Sequence, residues 1–130
     1  MCIRDRNGRR LLVVGDGPEY KALRRAAAAN VEFRGRVPDE DLRDLYARCR
    51  AFVMPGEEDF GITAVEALAS GKPVIALARG GALEIVPEFG GLLYDEPEGL
   101  LQAIERWDEL EPELDARALQ RLSLIHIRCV

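Results

Sequence analysis

Glu58 and Glu66 stand in an E-x7-E spacing across Phe60-Gly61-Ile62. The setting gives that spacing chemical meaning. Ala51–Met54 is an apolar run stopped by Pro55-Gly56, Glu57–Asp59 is an acidic loop, and a helical pattern begins near Gly61. Ligands of open parallel sheets bind just beyond strand C-terminal ends. A helix starting there offers unpaired N–H groups and a positive dipole end, which suit a phosphate or an electron-rich sugar hydroxyl. Gly61 permits close backbone approach. With Ile62 at 0° and about 100° per residue, Val65, Leu68 and Ala69 fall between about 240° and 340°, and Glu66 near 40°. Glu66 is therefore expected at the margin of the buried face. A carboxylate there can accept two hydroxyl hydrogen bonds from a vicinal diol such as a ribose. Glu58 lies toward the helix N-terminus, where the rest of a sugar nucleotide would sit.

Each feature alone has an ordinary structural explanation. A glutamate at a helix margin is commonly a solvated flank residue, and an acidic loop before a helix is commonly a cap. Gly15-Asp16-Gly17 lacks the third glycine of a dinucleotide fingerprint and reads as a tight strand-to-helix turn. Gly80-Gly81 reads as a turn.

The elements that must position these residues alternate. Strands are expected at Leu11–Gly15, Val31–Phe33, Ala51–Met54, Pro73–Leu77 and Gly91–Tyr94. Between them fall helical patterns at Pro18–Ala29, with Tyr20, Leu23 and Ala27 on one side, at Pro38–Cys49, and from Gly61 to Ser70. A short helix follows Gly80-Gly81 through Val86. The second helix has Asp39, Glu40 and Asp41 in its first turn and Arg48 in its last, as the macrodipole favours, with an apolar stripe of Leu42, Leu45, Tyr46 and Cys49. From Glu96 an amphipathic helix carries Leu100, Ile104 and Trp107; Pro112 breaks it, and a weaker helix follows to about Leu122. Val/Ile/Leu-rich runs separated by helices predict an α/β fold, a Rossmann-like parallel sheet with helices on both faces.

Composition excludes several classes. The chain has 130 residues, 18 Lys+Arg, 23 Asp+Glu and a net charge of −5. That balance argues against a nucleic-acid or polybasic membrane binder. No apolar run approaches the ~20 residues of a membrane span. Cys2, Cys49 and Cys129 make no metal-binding spacing, and the single histidine, His126, leaves no Ser/His or Cys/His pair. Met1–Arg6 fits neither period and Ser123–Val130 is an abrupt β-like run after a helical pattern; both resemble translated adaptor scars, so residues 7–122 are read as the domain proper. Without those ends the chain is more acidic still, so phosphate binding must rest on helix termini together with cationic side chains that find no match here.

The stretches LVVGDGP, VEFRGRV, LYARCRAFVMPGEEDFGITAVEALASGKPVIA and GGALEIV together resemble the C-terminal, nucleotide-sugar-binding half of retaining glycosyltransferases of the GT-B fold, family 4, from about Leu11 to Trp107. The resemblance implies transfer of a sugar from a nucleotide-diphosphate donor to a glycan or lipid acceptor, with no metal and no cofactor. By that resemblance Glu58 is the catalytic-site glutamate on the donor-sugar hydroxyls. Phe60, Gly61 and Ile62 form the loop whose amides approach sugar and diphosphate, and Glu66 holds the ribose. Val37 and Asp39 rim the base slot, and Gly15 and Gly17 border the interdomain cleft. EEDFGI followed by GGALE favours a mannose-type, GDP-sugar donor. A cytoplasmic location, in some members at the inner membrane face, is implied as well.

Parts of the family pattern find no match here: an acceptor-binding domain, a first central strand, and the Arg/Lys pair after it that clamps the departing diphosphate. Arg4, Arg6, Arg9 and Arg10 are near the right end but do not match. Loss of one such donor alone costs about 10²–10³-fold in rate, so the chain by itself is expected to be inactive. It is also expected either to pair Leu11–Gly15 directly with Ala51–Met54 or to leave each with an open edge, at marginal stability. The alternatives are a stand-alone nucleotide-sugar-binding module and a nucleotide-sugar epimerase fragment. A dinucleotide dehydrogenase is disfavoured, since no acidic residue ends the next strand.

Overall fold

The computed structural model describes residues 10–86, 90–110 and 117–121, the side chains of residues 108 and 110 aside. The expectations for Met1–Arg6, Pro112 and Ser123–Val130, and for Cys2, His126 and Cys129, fall outside these residues.

Strands and helices alternate as β1 (Leu11–Val14), α1 (Tyr20–Ala26), β2 (Val31–Gly35), α2 (Asp39–Arg48), β3 (Phe52–Met54), α3 (Ile62–Ala69), β4 (Val74–Leu77), α4 (Ala82–Ile85), β5 (Gly91–Tyr94) and, after a 3₁₀ turn at Pro97–Gly99, α5 (Leu100–Leu110). Residues 117–121 are also helical. Every strand pair is parallel: β1 with β2, β3 with β4, and β4 with β5. Parallel strands separated by helices put all the loops that follow the strands at one end of the sheets.

Residue alternation explains how β3, β4 and β5 are covered. Phe52, Met54, Val74, Ala76 and Leu93 face one cluster with Tyr46, Ala64, Val65, Leu68, Ile85 and Leu119. Val53, Ile75, Leu77, Leu92 and Tyr94 face the other, with Leu100, Ala103 and Trp107 of α5. β4 is therefore buried on both faces along its whole length, which is why it reads as an uninterrupted apolar run.

The strands form two sheets, β1-β2 and β3-β4-β5. Among the described residues β1 and β3 do not pair with each other, and each keeps one edge open. A groove of about 410 Å³ separates them, walled by Leu12, Val13 and Val14 on one side and Phe52, Val53 and Met54 on the other. The apolar stripe of α2 (Leu42, Leu45, Tyr46, Cys49) also lines it.

Helix α1 departs from expectation. It is shorter than Pro18–Ala29, because Ala27 is already extended at φ −70°, ψ 142°. Its expected apolar face is not buried: Leu23 is 55% exposed, and no α1 residue is buried. A two-stranded sheet offers it little surface. Tyr20 packs there, its ring edge-on to Phe33 at 5.5 Å. Asn30 does not end the helix; its carbonyl accepts the N–H of Leu11 at 3.0 Å, joining the start of β1 to β2. Arg10 and Arg34 both pair with Glu32 on β2.

Candidate functional site

The chemistry-bearing residues follow the C-terminal ends of the strands. After β1, Gly15 has φ 123° and donates its N–H to the Gly35 carbonyl at the end of β2, at 2.7 Å. The Asp16 carboxylate accepts the Gly17 N–H at 2.8 Å, shaping the turn. After β2, Val37 is half-buried and Asp39 is exposed as the first residue of α2.

The loop after β3 carries Glu58, Asp59 and Phe60, all exposed. Glu58 also lines the groove. Gly61 ends the loop in the left-handed conformation, φ 74°, ψ 51°, and no side chain caps α3. An L side chain there is strained, and a Cβ would stand 3.3 Å from Ile85 Cδ1. The first backbone donors to reach the Gly61 carbonyl are Ala64 and Val65. The earlier amides of the first turn thus stand at the helix's positive end with no N-cap side chain bonded to them.

The loop is held from behind by Gly80 and Gly81. The Gly81 N–H donates to the Glu58 carbonyl at 2.7 Å. A Cβ on Gly80 would lie 2.5 Å from the Glu58 carbonyl oxygen, and one on Gly81 would lie 2.7 Å from those of Asp59 and Phe60. Two successive glycines are needed for this close approach as well as for the turn. The sequence reading assigned them only the turn; the signal available was the doubling itself.

Glu66 is placed differently from expectation. The buried face of α3 is Ala64, Val65, Ala67 and Leu68, while Ile62 is 63% exposed and Ala69 is exposed. The buried arc is centred on the small residues, since Ala64 and Ala67 let the helix backbone settle on the sheet. Glu66 therefore projects from the exposed side of α3 rather than from the margin. It is not isolated there. The hydroxyl of Tyr46, reaching across from α2, lies 3.3 Å from Glu66 Oε2 and 3.3 Å from the Thr63 carbonyl oxygen. Sequence reasoning saw Tyr46 only as part of the α2 stripe.

After β4 and β5, Arg79 and Glu96 form an exposed pair at 3.2 Å. Among the described residues no group of three His, Cys, Asp or Glu could hold a metal ion, and no helix is long and apolar enough to cross a membrane. The structure thus gathers Glu58, Phe60 and Gly61 with Gly80-Gly81, and couples Glu66 to Tyr46 and Gly15 to Gly35.

Comparison with known proteins gives this arrangement a context. The chain is 39% identical over 99 residues to a GDP-mannose-dependent alpha-mannosyltransferase of Corynebacterium glutamicum, covering 72% of this chain and 24% of that protein. It is 38% identical over 106 residues to a D-inositol 3-phosphate glycosyltransferase of Streptomyces griseus, covering 78% of this chain and 22% of that protein. Among solved structures, sucrose-phosphate synthase of Thermosynechococcus elongatus superposes with a TM-score of 0.74 at 29% identity, over 95% of this chain and 35% of that one. The chain spans about a quarter of the length of these two curated relatives. The sequence profile described as glycosyl transferases group 1 matches residues 2–108. With parallel strands, flanking helices and this match along most of its length, the chain belongs to the group 1 glycosyl transferases, with the Rossmann-like architecture of the GT-B type.

Proposed function

We propose that this chain is the donor-binding part of a retaining, family 4 glycosyltransferase, with residues 7–122 forming that domain. The observation that carries the reading is the uncapped N-terminus of α3, set between Glu58 on the loop before it and Glu66 within it. Glu58 accepts hydroxyl hydrogen bonds from the donor sugar. The backbone amides of Phe60, Gly61 and Ile62 approach the sugar and diphosphate, and Glu66 accepts the ribose diol. Val37 and Asp39 rim the base, and the Gly15–Gly17 turn borders the cleft to an acceptor-binding part. The acceptor is a glycan or lipid. A GDP-mannose-type donor is favoured by EEDFGI and GGALE, and the mannosyltransferase relative supports it. The protein works in the cytoplasm, at the inner membrane face where its acceptor is a lipid.

Calorimetric titration of the full chain with GDP, UDP and ADP and their sugar conjugates tests this. One nucleotide series should bind, and Glu66→Ala should weaken it about tenfold or more. Unchanged affinity in that variant would overturn the ribose assignment.

A further inference from the structure

We infer that Tyr46 is a positioning residue for nucleotide recognition, acting through Glu66; the inference rests on the ribose assignment above and concerns the same site. Tyr46 is 7% exposed. Its ring belongs to the core cluster with Met54, Val65 and Leu68 and packs against Phe52 at 5.8 Å between ring centroids. A packed tyrosine has two side-chain torsions, both fixed by the ring, so its hydroxyl is delivered to one place. That place lies 3.3 Å from Glu66 Oε2 and 3.3 Å from the Thr63 carbonyl oxygen. One hydroxyl proton serves both acceptors, and the ionised carboxylate is the stronger of them.

The consequence for Glu66 is specific. It projects into solvent, and an exposed glutamate samples many rotamers. The hydroxyl of Tyr46 draws Oε2 toward α2, which leaves Oε1 and the second lone pair of Oε2 to accept a diol. The same hydroxyl touches the carbonyl of Thr63, one turn before Glu66, so carboxylate and first-turn backbone are set from a single rigid point. Tyr46 occupies one lone pair of an ionised carboxylate that has about four, so the acceptor capacity that two ribose hydroxyls require remains.

The test compares ribonucleotides with their 2′-deoxy counterparts on the full chain: GDP with 2′-deoxy-GDP, and the uridine and adenosine pairs alongside. The wild-type chain should prefer the ribonucleotide. Tyr46→Phe keeps the ring and removes the hydroxyl. It should weaken the ribonucleotide about fivefold and leave the deoxynucleotide unchanged, so that the preference shrinks. In a Glu66→Ala background, Tyr46→Phe should have no further effect on either ligand. A Tyr46→Phe variant that keeps the full preference overturns the inference and leaves the ribose assignment standing. One that weakens both ligands equally, or loses its unfolding transition, assigns Tyr46 to the core alone and also overturns it. Glu66→Ala retaining the preference, or a chain that binds none of the three pairs, overturns the assignment itself.

Discussion

The backbone N–H of Gly81 donates to the carbonyl oxygen of Glu58 at 2.7 Å, tying the loop after β3 to the turn that opens α4. The acidic loop is thus shaped less by its own residues than by the glycine pair behind it. Gly81→Ala would place a methyl 2.7 Å from two carbonyl oxygens of that loop, so the loop must move. Loss of about one charge-assisted hydrogen bond from the displaced loop should weaken nucleotide-sugar binding about tenfold. Titration of the variant with the nucleotide sugar that binds the parent chain checks this; equal affinity would mean that the loop does not depend on the approach.

The Tyr94 hydroxyl and Trp107 Nε1 are buried and find no hydrogen-bond partner among the described residues. An unsatisfied buried polar atom costs about 1–3 kcal/mol, so Tyr94→Phe should stabilise the chain by about 1 kcal/mol, read as a higher denaturant midpoint.

The same phenol gives a pH signature. Burial raises its pKa above the ordinary 10.0, because the phenolate would lose its hydration. Above about pH 10 the unfolded chain releases this proton more readily than the folded one, so stability falls as pH rises through that range. The difference in unfolding midpoint between Tyr94→Phe and the parent should therefore widen from pH 9 to pH 11.

Leu68 is fully buried in the cluster joining α3 to β4. Leu68→Ala should cost about 3 kcal/mol, a large part of a small domain's stability. Urea denaturation followed by circular dichroism measures it. A loss below about 1 kcal/mol would show that α3 is loosely seated.

The chain alone should transfer no sugar. The α3 terminus, with no N-cap side chain on it, adjoins Glu58 and Glu66; a helix dipole supplies only a fraction of a charge, and electrostatic stabilisation of the departing diphosphate is the larger demand. Incubation with GDP-mannose and a range of acceptors, followed by mass spectrometry, should show no product; any transfer would contradict the expectation.

The element order was legible in the sequence because strand and helix periods alternate cleanly from Leu11 to Trp107. The two-faced burial of β4 was legible for the same reason, since Val74–Leu77 contains no polar residue. What failed depended on partners distant in sequence. Leu23 has helical spacing but little sheet to cover it. The turn of α3 about its axis was set by Ala64 and Ala67, which a wheel weighted toward large residues undervalues. The open edges of β1 and β3 were one of two outcomes that strand order allowed. The tie between Tyr46 and Glu66 spans two elements and leaves no local signal.

The groove between β1 and β3 has a consequence for handling the protein. Among the described residues each bordering strand has a sheet neighbour on one side only, beside a groove lined by apolar side chains, and an unpaired strand edge is the template on which foreign strands add. Left at high concentration, chains will recruit one another along these borders. Light scattering should rise with storage time and fall when a short soluble strand peptide is supplied, so dilution protects the fold as much as any change within it.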